Sequence, residues 1–154
     1  DVFTKNNVFT SKEIHSRYEI LLENYCKTLH IEALTMVDMV NKDIIPACIS
    51  YQNEITKLLI SKKTLDGVDY SVEEQLLQKI SKLSGCLYKK LNALEDTLLL
   101  VKDDIDALKL AEIYRDKVFT DMQELRLVVD ELETIVAKKY WTLPTYSEIL
   151  YSVN

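Results

Sequence analysis

Histidine, cysteine and paired carboxylates build most catalytic and metal sites, and this chain holds few of them at useful spacing. Its two histidines, His15 and His30, lie about four helical turns apart on one stretch. A di-iron bundle needs Glu-x-x-His pairs on separate helices; here Lys12 and Lys27 stand three residues before the histidines. HExxH is absent. Cys26, Cys48 and Cys86 are odd in number, widely spaced and without a CxxC, so the clustered spacing of a zinc site is missing. Glu73-Glu74 and Asp103-Asp104 are adjacent pairs that point about 100° apart on a helix, so neither makes an acid/base dyad. They fit better as charges at helix N-termini, where the macrodipole favours them. A nucleophile needs a base and an orienting third group, usually on loops, whereas the serines here fall at caps or on helix faces. No catalytic, cofactor-binding or metal-binding residue is assigned. Tyr18, Tyr25, Tyr88 and Tyr114 fall on or beside apolar stripes, where core or interface packing explains them better than chemistry does.

The elements that would have to position a site are equally restrictive. Average usage gives roughly 11 glycines and 8 prolines in a chain of this length; this one has 2 of each, Gly67, Gly85, Pro46 and Pro144. Tight hairpins and glycine-rich phosphate loops need residues that tolerate φ > 0. With so few, chain reversals are rare and ordered elements are long. With 47% hydrophobic and 29% charged residues the chain can bury a core, so disorder is not expected. A net charge of −6 argues against nucleic acid or an anionic membrane as partner. The Lys62-Lys63, Lys89-Lys90 and Lys138-Lys139 pairs then read as solvated edges or helix-end charges. Cys26 and Cys86, on apolar helix positions, read as buried free thiols of a reducing compartment. No signal peptide or apolar run of about 18 residues occurs, and the expected location is cytoplasmic. Asp1 is not a methionine and no targeting segment precedes the fold, so a fragment of a longer chain is expected.

Apolar periodicity gives the architecture. Thr10-x-x-Glu13 is a capping-box spacing behind Val8 and Phe9, which could staple the first turn. From Ile14 to Ile44 apolar residues recur at steps of three and four, and between Leu29 and Val40 they spread beyond one stripe through Ile31, Leu34 and Met39. Pro46 kinks this helix rather than ending it, because the pattern resumes through Ile49, Ile55, Leu58 and Leu59. Polar residues and Gly67 then mark a loop, and Ser71-x-x-Glu74 a second capping box. Leu76, Ile80, Leu83, Leu87, Leu91, Leu94, Leu98 and Val101 form a near-heptad seam, with Gly85 expected at a close helix approach. The acids Asp103, Asp104 and Asp106 open a third helix along Leu108, Ala111, Tyr114, Val118, Met122, Leu125, Val129, Leu132 and Val136, closing on Lys138 and Lys139. The expectation is an all-α, elongated antiparallel bundle of about three long helices in a single domain. Its parts are a lead-in over 1–10, helix 1 over 11–60 kinked near Pro46, a loop over 61–71, helix 2 over 72–102 and helix 3 over 104–139. A non-helical aromatic tail over 140–154 must dock on the bundle or on another subunit.

Two stretches carry a family likeness. Arg17-Tyr18-Glu19-Ile20-Leu21-Leu22-Glu23-Asn24-Tyr25 with Ile31 to Met39, and Tyr114-Arg115-Asp116, Asp130-Glu131-Leu132-Glu133 and Trp141-x-x-Pro144-Thr145-Tyr146-x-x-Ile149-Leu150, resemble the C-terminal helical region of type III glutamine synthetases. The likeness covers nearly the whole chain, in pattern only over 55–105, and Thr142 departs from it where the family tends to have proline. It implies a parent enzyme that makes glutamine from glutamate, ammonia and ATP, with divalent metal ions, in a large ring-built homo-oligomer. It also implies that metal- and nucleotide-binding residues belong to a β-rich catalytic core upstream, and none maps onto this sequence. The expected role is an accessory and assembly domain whose partner is the catalytic core of the same chain. Ile31, Leu34, Met39, Trp141, Pro144 and Tyr146 are the candidate interface. Two rivals are a free-standing helical interaction module and an enzyme or cofactor carrier built in a bundle.

Overall fold

The computed structural model describes residues 9–101 and 106–151, Tyr146 by its backbone alone, and no strand occurs among those residues. Helix α1 spans Ser11–Met39. Its capping box forms as the spacing predicts: Thr10 N–H donates to the Glu13 carboxylate at 2.7 Å, and Glu13 N–H donates to Thr10 Oγ1 at 3.2 Å. Arg17 stacks on the Phe9 ring, 4.5 Å from its centroid; Val8 lies outside the described residues. No residue from Ser11 to Tyr25 is buried, and the core begins at Cys26, Leu29 and Ala33. Before it, Leu22 is partly buried against the core.

Pro46 does not break the run. A π-helical turn, Val40–Ile44, precedes it, and the Ile45 N–H donates to the Val40 carbonyl five residues back. Proline offers no N–H, and its ring crowds the carbonyl four residues earlier. Widening one turn moves that carbonyl away, so α2 continues over Ile45–Lys63. From Ser11 to Lys63 the chain stays helical, about 80 Å at 1.5 Å per residue.

The reversal is a short turn with Gly67 at φ 78°, in the left-handed region that glycine occupies without strain. Helix α3, Ser71–Leu100, follows. The second expected capping box does not form: Ser71 is already helical, and it is the Asp69 carboxylate that accepts from the Ser71 N–H at 2.9 Å. An Asx-type bond two residues ahead supplies the terminal acceptor first. Glu73 and Glu74 are thereby free to pair with Lys62 (2.6 Å) and Lys63 (3.4 Å) across the turn. Further along, Gln52 meets Ser84 and Asn41 meets Glu95, which fixes α2 and α3 as antiparallel.

Helix α4, Ala107–Ile113, passes through a second π-turn, Tyr114–Val118, into α5, Phe119–Ile135. The expected third helix over 104–139 is shorter at its far end, and Asp103 and Asp104 lie outside the described residues. Lys79–Glu131 (3.0 Å), Lys90–Glu124 and Thr97–Asp121 (2.6 Å) run in opposite senses along α3 and α5. Helix α3 is thus the middle element, packed on α2 and α5, while α4 packs on α1. Its Ile80, Leu87, Leu91 and Leu94 meet Val40, Ile44, Cys48 and Ile55 on one side and Val118, Met122, Leu125 and Leu132 on the other. Each such burial contributes about 1.5–3 kcal/mol, against about 0–1 kcal/mol for an exposed ion pair. The apolar seam therefore decides the fold, and the ion pairs set its register. The lysine pairs, read from sequence as solvated edges, mostly have carboxylate partners: Lys62, Lys63, Lys90, Lys138 and Lys139 each bind one.

Two local expectations need correction. A Cβ at Gly85 would meet nothing within 4 Å, so this glycine marks no close helix approach. Gly85→Ala should stabilise the helix by about 0.5–1 kcal/mol through lower chain entropy when unfolded. A urea melt should show the midpoint rise with an unchanged slope, and a fall would contradict the open surroundings. The cysteines are free, with Cys26 and Cys48 buried and their thiols pushed up by burial, but Cys86 is only half-buried.

The aromatic tail is not wholly non-helical. After a turn at residues 137–140, Trp141 packs into the core and the chain forms α6, Tyr146–Tyr151. Thr145 caps it: its N–H donates to Glu148 at 3.0 Å, and the Glu148 N–H donates back to Thr145 Oγ1 at 3.4 Å. Thr145-x-x-Glu148 behind Pro144 is a third capping-box spacing.

Candidate docking surface

Apolar side chains of α1 and α5 line an open groove on one side of the bundle. Ile31, Met36 and Met39 of α1, with Val40 and Ile44 of the π-turn, face Phe119, Met122 and Val129 of α5. Leu143 of the tail closes one end, and Glu32, Thr35, Gln123 and Arg126 supply the polar rim. The groove encloses about 510 Å³. Ile31 remains 64% exposed and Phe119 45%, whereas Val40, Ile44 and Met122 are buried. Three methionines suit a surface that adapts to an apolar guest.

The docked tail adjoins this groove. Trp141, 8% exposed, joins Met39, Val129, Leu143, Pro144 and Ile149 around a second hollow. Tyr140 tilts against Tyr51 at 5.8 Å between ring centroids, and its hydroxyl donates to Glu54, which also accepts from Lys139 at 2.8 Å. Thr142 donates to Asp43 at 3.3 Å. Lys138 binds Glu148 of α6. That bond, with those from Thr145, holds the Glu148 carboxyl down at about 2, and Lys139 and Tyr140 hold Glu54 below its ordinary value.

A carboxyl depressed in the folded state adds stability above its unfolded pKa and loses it as pH falls through the folded one. The tail clamp should therefore weaken between about pH 4.5 and about pH 2. Trp141 is the single tryptophan, so its emission should shift to the red across that window. Glu148→Gln should remove much of the response, and an unchanged acid titration in that variant would count against the clamp.

The candidate residues separate on inspection. Ile31 and Met39 line the groove, Trp141 and Pro144 line the neighbouring hollow, and Leu34 is exposed outside both. Of Tyr146 the structure describes the backbone alone, at the start of α6. Phe119, Met122 and Leu143 were not singled out from sequence as interface residues. Phe119 carried the available signal, an aromatic beside the α5 stripe rather than on it. Tyr18, Tyr25 and Tyr88 are exposed, whereas Tyr114 is buried with its hydroxyl 3.0 Å from His30 Nδ1. Among the described residues no group of three His, Cys, Asp or Glu is placed to hold a metal ion. No helix among them is long and apolar enough to cross a membrane.

These features define, among the described residues, an all-helical domain with an apolar groove on its surface. Residues 1–63, ending where α2 ends, match the family model of the glutamine synthetase C-terminal domain. Over its whole length the chain is 40% identical to a glutamine synthetase of Butyrivibrio fibrisolvens. It is 32% identical over 97% of its length to a type-3 glutamine synthetase of Dictyostelium discoideum, and 26% over 98% to a glutamine synthetase of Bacteroides fragilis. The chain is thus similar to the C-terminal part of glutamine synthetases. It spans about a fifth of the length of these relatives, 22%, 21% and 21%.

Proposed function

We propose that this domain is a non-catalytic accessory and assembly unit of a glutamine synthetase, docked on the catalytic core of the same polypeptide. The observation that carries the reading is the end-to-end alignment of this chain to a fifth of much longer synthetases. The exposed apolar residues on α1 and α5 support it, because a bundle that met only water has no use for them. In this reading the parent is an ATP-dependent glutamate–ammonia ligase, a ring-built homo-oligomer whose ATP and divalent metal bind upstream. Buried free thiols at Cys26 and Cys48 fit a cytoplasmic setting. Deleting the domain from the parent synthetase should lower the assembled mass seen by light scattering, and the isolated domain should form no glutamine. An unchanged oligomer after deletion, or glutamine formation by the domain alone, contradicts the reading.

A further inference from the structure

We infer that the groove between α1 and α5 is the seat of an apolar helical segment from the upstream part of the same synthetase polypeptide. The inference rests on the accessory-domain reading and adds the seat and its occupant. The seat is lined by two helices. Ile31, Thr35 and Met39 recur at steps of four on α1, and Phe119, Met122 and Arg126 at three and four on α5. Two helix faces at this spacing present the ridges between which a third helix lies. The lining runs over residues 31–44 on one wall and 119–129 on the other, roughly 20 Å and 15 Å or about three turns, which suits a guest with apolar residues at i, i+3 or i+4, and i+7. Glu32 lies on one wall and Arg126, which pairs with Asp130 at 3.8 Å, on the other.

The occupant follows from shape and from chain length. A concave surface is not complementary to itself, so the grooves of two copies cannot pack against each other across a two-fold axis. The relatives carry about four-fifths of their length beyond the part matched here. A segment on the same polypeptide is held at millimolar effective concentration by its tether, without any new contact. Phe119 and Ile31 are exposed in the domain alone, so their replacement tests docking without disturbing the core.

Hydrogen exchange of the full-length synthetase and of this domain alone should differ at residues 31–39 and 119–126, with at least tenfold slower exchange in the full chain. Phe119→Glu with Ile31→Glu should abolish that difference while leaving the melting of the isolated domain unchanged. Cross-linking of mixed ¹⁴N- and ¹⁵N-labelled full-length chains should join Phe119→Cys to upstream residues within one isotope. Equal exchange in both proteins overturns the groove proposal, and so do mixed-isotope links, which would mean a neighbouring subunit fills it. If domain deletion still changes the oligomer in that case, only the groove assignment fails. If deletion changes nothing, the accessory-domain reading fails as well.

Discussion

Replacing Leu87 with alanine should remove about 2–5 kcal/mol of stability. Leu87 is fully buried at the middle of α3, the helix that packs on both α2 and α5. Truncation there loses the transfer of the missing methyl groups and leaves a cavity between two interfaces at once. In a domain of this size each kcal/mol moves the midpoint by roughly 2–4 °C, so a fall of about 10 °C is expected in a calorimetric scan. Leu99→Ala is the control: Leu99 is 78% exposed near the end of the same helix, and its loss should stay within about 0.5 kcal/mol. Equal effects at the two sites would mean that α3 is not the middle of the bundle.

Trp141→Ala is the other large effect, at about 3–5 kcal/mol. Its consequence should be local before it is global. The indole anchors the segment that joins α5 to α6, and the polar bonds around it, from Lys139, Tyr140 and Thr142, are exposed. Exposed bonds of this kind contribute little on their own. Without the indole, the tail should become a protease target at temperatures where α1 to α5 remain folded. Trp141→Phe separates packing from hydrogen bonding. The indole Nε1 is buried with no protein acceptor, so losing it removes an unsatisfied donor. Phenylalanine should retain most of the stability that alanine loses. A phenylalanine variant as unstable as alanine would instead give the N–H an essential acceptor.

Helix identity was legible because burial repeats every 3.6 residues, and Leu87, Leu91, Leu94, Val118, Met122, Leu125 and Leu132 all sit on the seams that periodicity marked. Ends were harder, because several polar residues compete for one orphan N–H. Ser71 had the right spacing to Glu74, yet Asp69 reached the backbone first. At Thr145 the same spacing signalled a real cap, masked by the proline and aromatics around it. Gly85 shows a different limit: a lone glycine in a helix carries no information about what faces it, and here nothing does. The groove was half legible. Ile31 and Met39 stood out as apolar residues off the main stripe, but their counterparts on α5 follow from how the two helices are placed. That placement is set by packing between residues distant in sequence, and no local pattern encodes it.

The second π-turn, Tyr114–Val118, has no proline to enforce it. Such a turn amounts to one surplus residue lodged in an α-helix, with the flanks on either side keeping their facing. Losing a codon anywhere inside α5 would swing everything beyond it by about 100° and turn Leu125 or Leu132 away from the core. Losing one at the π-turn would only return the backbone to the ordinary repeat, with α4 still on α1 and α5 still on α3. In the gene, then, these five positions are the stretch of this helix where the reading can shorten by one word and the sentence still parse.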